Sequence, residues 1–224
     1  MRSSIRLAKD EALHLALFLG RVIGWDERAA ARIVTRGGVV GIYAPLPMDV
    51  LALIVLPLAA SAEATEGETP EIDATVSAGR MRDIIADVSR LAPVTDLVIP
   101  DSVTGSPSLA LLPPQSRWLP GERGMAGDLA PMVDSAVAAF RAHVPVSGSL
   151  HATLLAESAW DAPGWGGLPM RALHAARLLG FISHPGARIE SGTVSGWKRL
   201  VTPGGQVFVR TQSGARLSLV PTPR

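Results

Sequence analysis

No cysteine occurs in the chain, which excludes disulfides, thiolate metal sites and cysteine nucleophiles. No asparagine occurs either, and Lys9 and Lys198 are the only lysines beside 19 arginines. GC-rich coding produces the same skew, so arginine enrichment alone is not evidence of nucleic-acid binding. Charged residues make up only 18% of the chain. The surface is therefore covered largely by small, weakly polar residues, a composition that favours self-association or a bound partner.

Long hydrophobic runs are also missing. The longest, Val50 to Ala60, is interrupted by Pro57, and a membrane-spanning helix needs about 20 apolar residues. The N-terminal stretch carries Lys9, Asp10 and Glu11 directly before its apolar part, unlike a secretory signal. A cytoplasmic location without membrane contact is expected. Walker A, G-x-G-x-x-G and G-x-S-x-G patterns do not occur. The five histidines, at 14, 143, 151, 174 and 184, form no i, i+4 pair and no H-E-x-x-H. No catalytic residue, metal or cofactor is expected, and the chain reads as a non-enzyme.

What is present is a charge split. Gly166 to Arg224 contains seven Arg and one Lys against a single acid, Glu190, while the whole chain carries +1. A split of this kind creates a field that selects partners. At 224 residues, a domain can bury roughly 70% of the surface of its unfolded chain, enough for a core without staples.

The pattern along the chain predicts a helix from about Ile5 to Ile23, ended by Gly24. Ala31–Thr35 and Val39–Tyr43 around Gly37-Gly38 predict a β-hairpin. Val50 to Leu56 is apolar throughout, as in a central strand covered on both faces. The acidic stretch at 62–69 reads as a loop, and Glu71–Val76 as a strand. Ser77 suits the cap of a helix over 78–91, and Asp96–Pro100 reads as another strand. Residues 101–125 are rich in Pro, Gly and Ser and read as a linker pinned by Trp118, with Leu109–Leu112 as an optional edge strand. Helices follow at 128–143, 150–160 and from Pro169 to Leu179, with Gly180 ending the last. A β-meander closes the chain, with strands at 197–202, 206–211 and 215–220. The fold class is α+β: an N-terminal helix with an antiparallel or mixed sheet and a second helix, then a helical segment ending in a β-meander. The chain divides into segments 1–112 and 113–224, with their packing as one unit left open.

Helix, turn, helix and hairpin follow the order of a winged helix. There the last helix enters the major groove and the hairpin meets the backbone. On this reading Arg171, His174, Arg177, Lys198, Arg199 and Arg210 would contact nucleic acid, DNA ahead of RNA. Against it, residues 170–179 are apolar on nearly every side and lack the Ser, Thr, Asn and Gln that read base edges. The competing reading docks the basic segment on the acidic first part.

The stretches Leu7–Arg21, Asp73–Gly79, Leu111–Pro114 and His174–Phe181 resemble a family of uncharacterised actinobacterial proteins of about this length. The resemblance implies a cytoplasmic protein and assigns no activity. The main expectation is a non-enzymatic protein binding DNA through the basic helix and hairpin. The alternative is a protein-binding adaptor or chaperone-like homodimer with no nucleic-acid role, using the first-half sheet and the Leu13–Val22 helix face.

Overall fold

A computed structural model describes residues 3–60, 71–88, 92–143 and 158–211. Ten strands occur among the described residues, named β1 (Ser4–Ala8), β2 (Ala30–Arg36), β3 (Val39–Leu46), β4 (Val50–Pro57), β5 (Asp73–Ser77), β6 (Val94–Val98), β7 (Leu119–Met125), β8 (Arg188–Val194), β9 (Trp197–Thr202) and β10 (Gly205–Arg210). Four helices that lie wholly among the described residues accompany them, α1 (Lys9–Ile23), α2 (Ala78–Val88), α3 (Ala126–His143) and α4 (Met170–Leu178), and residues 158–161 are also helical. Three times, at β1–α1, β5–α2 and β7–α3, a strand runs straight into a helix. The expected α+β class is present.

Eight strands form one antiparallel sheet in the order β5-β2-β3-β4-β10-β9-β8-β7, and β1 and β6 form a second, two-stranded sheet. The large sheet reads the same from either end: an outer strand, then a three-stranded meander, meeting at the β4–β10 pair. That central pair aligns Ala52 with Val207 and Leu51 with Phe208. Alternation decides its faces. Ala52, Ile54, Val207 and Val209 point into the main core with the buried faces of α1 and α4. Leu51, Leu53, Tyr43, Trp197 and Phe208 point the other way and form a second cluster with Leu109. The unbroken apolar sequence of β4 follows from this covering on both faces.

The helix layer is stitched across the two halves. Phe18 of α1 stacks on Phe181 just beyond α4, with centroids 6.2 Å apart, and Arg21 Nη1 donates to the Leu179 carbonyl. Gly180, with φ of 71°, ends α4 in a conformation that β-carbons oppose. Gly205, with φ of 151°, sits where Phe181 leaves no room for a Cβ.

The hairpin β2–β3, the central strand β4 and the helix capped by Ser77 all occur. Ser77 Oγ accepts from the Arg80 N–H at 3.3 Å. Several expectations need correction. The first helix begins at Lys9, because Ile5 and Leu7 alternate inward on a strand paired with β6. The end of the expected linker, from Leu119, is edge strand β7, held by pairing with β8 despite its Pro and Gly. Leu109 ends a short 3-10 turn, not an edge strand. The unexpected β8 lies at Arg188–Val194. The hairpin β9–β10 is not a free wing, because β10 is hydrogen-bonded into the sheet through β4. The loop at 62–69, the strand at 215–220 and most of the helix at 150–160 lie outside the described residues.

Ile54 is fully buried at the centre of the sheet. Ile54→Ala is expected to lower unfolding free energy by about 2–5 kcal/mol, measured by chemical denaturation with the slope unchanged.

Candidate functional site

The face of the large sheet opposite α1 and α4 carries a strap, residues 107–118, and arginines of the sheet hold it there. Arg32 Nη1 donates to the Leu109 carbonyl at 2.7 Å. Arg36 Nη1 donates to Gln115 Oε1 at 2.6 Å, and Arg210 Nη2 donates to the Leu111 carbonyl at 3.4 Å. Arg32 is itself oriented by Asp73, which takes both Nε and Nη2 at 2.7 Å. That pairing raises the Arg32 pKa and lowers that of Asp73, in each case chiefly through the side-chain hydrogen bond.

Trp118 closes the strap. Its Nε1 donates to the Pro114 carbonyl at 2.8 Å, and its ring lies 5.8 Å from that of Phe208. The Arg199 guanidinium sits 4.4 Å from the centroid of the same ring, a cation–π contact. Between strap and sheet lies a cleft of about 230 Å³ with Tyr43, Leu53, Val55, Phe208 and Trp118 on its walls. Val55 and Val39 on its rim are 48% and 38% exposed, so apolar surface meets solvent there. Burial pushes the Tyr43 hydroxyl pKa up, keeping it neutral. Arg36 and Arg199 also line the cleft, and among the described residues that line it none is acidic.

The six residues expected to meet nucleic acid are divided between the two faces of the sheet. Arg199 and Arg210 share the strap face with Trp197 and Phe208 through the β9–β10 register. Arg210 stacks 5.0 Å from the Trp197 ring centroid. Lys198 points to the helix side, where Nζ donates to the Gly167 carbonyl at 2.6 Å. Arg171 is paired with Asp161. Arg177 spans to Asp134 of α3 at 3.2 Å, and this pairing raises its pKa. His174 stacks on Trp160 at 4.8 Å. Arg171, Lys198 and Arg210 border one cleft beside Asp161, whereas Arg177, His174 and Arg199 lie away from it. Charge over α1, α2, α3 and α4 is nearly balanced. Lys9, Arg21, Arg80 and Arg82 match Asp10, Glu11, Asp83 and Asp87, α3 has one net acid, and α4 has two Arg.

Sequence reasoning identified Trp118 as a pin but missed the cleft it closes. The available signal was the outward series Leu51, Leu53 and Val55, which requires a cover on the second face of β4. Among the described residues, no His, Asp and Glu are grouped so that they could hold a metal. No helix among them is long and apolar enough to cross a membrane.

Residues 1–108 match the family model of a domain of unknown function, DUF8010, and residues 113–214 match that of another, DUF8185. No curated protein matches the sequence. Among solved structures, the DNA polymerase sliding clamp of Pseudomonas aeruginosa superposes with a TM-score of 0.56 at 11% identity, covering 96% of this chain and 65% of that one. The Caulobacter crescentus clamp gives 0.56 at 11% identity, covering 96% and 67%. A Bartonella birtlesii clamp bound to griselimycin gives 0.57 at 12% identity, covering 95% and 65%. The chain resembles the sliding-clamp fold. This clamp-like chain spans about two thirds of the length of those clamps, and at such identity the likeness extends to the fold alone. The two matched domains of unknown function fit an uncharacterised family.

The His174 pKa is lowered by burial first and by Arg141 second, with Asp134 opposing. The unfolded chain therefore binds the proton more tightly, and stability is lost as pH falls below the ordinary histidine value of about 6.5. His174→Gln is expected to flatten the fall in unfolding free energy between about pH 7 and 5, measured by denaturation at each pH. An unchanged slope would count against the assignment.

Proposed function

We propose that the protein is a non-enzymatic protein-binding module that docks an extended segment of a partner in the cleft beneath the strap. The observation that carries this reading is an aromatic-walled cleft open to solvent on the face of the sheet opposite α1 and α4, with exposed Val39 and Val55 on its rim. Apolar clefts with a few placed polar groups are the usual form of a binding site, and rigid aromatic anchors dominate interface energies. The likeness to sliding clamps, proteins named for their association with DNA polymerase, is in keeping with a partner protein.

The nucleic-acid reading has less support. Phosphate binding draws on clustered, available cations, but Arg171, Arg177 and Lys198 already have internal partners. A second copy of the chain is the next favoured partner. Among the described residues, β6 pairs only with β1 and β7 only with β8, and open edges template further pairing. Light scattering over a concentration series would then give a mass near twice 23.4 kDa, and a constant monomer mass would remove the self-association reading.

The main proposal is tested with a displayed random-peptide library panned on the full chain and on Val55→Glu, which puts a charge on the cleft rim. The expected result is a convergent set of apolar peptides that bind the parent chain and lose at least about tenfold in affinity on the variant, on the order of 1.4 kcal/mol. Absence of any convergent binder, or equal binding to both proteins, would contradict it.

A further inference from the structure

The cleft has a polarity that its apolar walls do not require. Arg36 and Arg199 both line it, no carboxylate of the described residues does, and the two cations differ in how far they are satisfied. Arg36 is exposed and bonded to Gln115. Arg199 is half-buried, its Nε is buried without a partner, and its contact is the face of Trp118. Among the described residues its guanidinium donates no hydrogen bond. A guanidinium has five N–H donors in a rigid fork, and a charged group drawn out of water without an acceptor is costly. Burial is the first cause of a lowered Arg199 pKa, with Glu190 opposing from a distance.

We infer that the partner segment carries an acidic side chain beside its apolar residues, and that its carboxylate meets the Arg199 guanidinium while the apolar residues fill the space between Trp118, Phe208 and Leu53. This rests on the protein-binding reading and names the partner's chemistry. The Trp118 ring covers one face of the guanidinium and Nε is buried, so the terminal Nη groups are the donors left for a charge-assisted bond to a carboxylate. A neutral apolar segment would fill the walls but leave the guanidinium covered and unpaired. Such a partner is selected against by the same desolvation. Arg36, at the Gln115 end of the cleft, adds longer-range attraction for an acidic segment and weakens with salt.

Two random-peptide libraries test this, both displayed as N-terminal fusions so that no free carboxyl terminus is present. One contains all residues, and the other has Asn and Gln in place of Asp and Glu. Both are panned on the full chain. The expected result is a recurring Asp or Glu in the binders of the complete library, with acid-free binders absent or at least about tenfold weaker. A selected acidic peptide should lose about tenfold on Arg199→Gln, recover in part on Arg199→Lys, and lose less on Arg36→Gln, with melting temperatures showing that each variant is folded. Acid-free peptides that bind equally well in competition with the acidic ones would overturn the inference and leave the protein-binding reading standing. So would an Arg199→Gln variant, shown to be folded, with unchanged affinity. If neither library yields a peptide excluded by Val55→Glu, the protein-binding reading fails, and this inference falls with it.

Discussion

The pairing of β4 with β10 is the contact on which the rest of the molecule depends. It joins two four-strand groups, β5-β2-β3-β4 and β10-β9-β8-β7, into one sheet. Residues far apart in sequence thereby become neighbours on both faces. On one face Ala52, Ile54, Val207 and Val209 share a core with α1 and α4. On the other, Leu53 and Phe208 come together under the strap. Neither group alone would have the cleft, because β2, β3 and β4 supply one part of its wall, β10 and Arg199 of β9 another, and the strap covers both.

Arginine has an unusual place in this arrangement. The excess of Arg over Lys, and the positive C-terminal third, invite an electrostatic explanation directed outward. Much of that charge is used inward. Arg21 reaches a helix-end carbonyl, Arg177 and Arg171 meet carboxylates, and Arg32, Arg36 and Arg210 hold the strap through three different acceptors. A guanidinium suits this work because its donors form a fixed fork and its flat face packs on indole. Arg199 stands apart because, among the described residues, it has the contact with indole without an acceptor.

The sequence was legible where length, periodicity and turn chemistry agreed. The run from Val50 to Leu56 has the length and unbroken apolar character of a strand covered on both faces, and Gly37-Gly38 between β-branched runs has the chemistry of a hairpin. It was ambiguous at Ile5–Ala8, where two inward residues suit the face of the following helix as well as a strand. It was misleading at Leu119–Met125 and silent at Arg188–Val194. Their Gly, Ser, Thr, Pro and charged residues carry little strand preference, and their pairing with each other and with β9 decides the outcome. The candidate site was the least legible part. It requires the strap to fold back over β2–β4 and β10, and no local pattern records the partners of Arg32, Arg36 or Arg210. The six residues singled out from the sequence lie in one basic segment of the chain, but strand alternation sends Lys198 and Arg199 to opposite faces.

Native-state hydrogen exchange tests the central claim, that one sheet through β4 and β10 makes the molecule and its cleft a single unit. The account predicts that amides in β3, β4, β9 and β10 exchange only through one shared opening, with a common free energy equal to that of global unfolding. Exchange of β8–β10 through a lower-energy opening that leaves β2–β4 protected would contradict it. The two strand groups would then be separate units, and the cleft between them would not be a fixed feature of the fold.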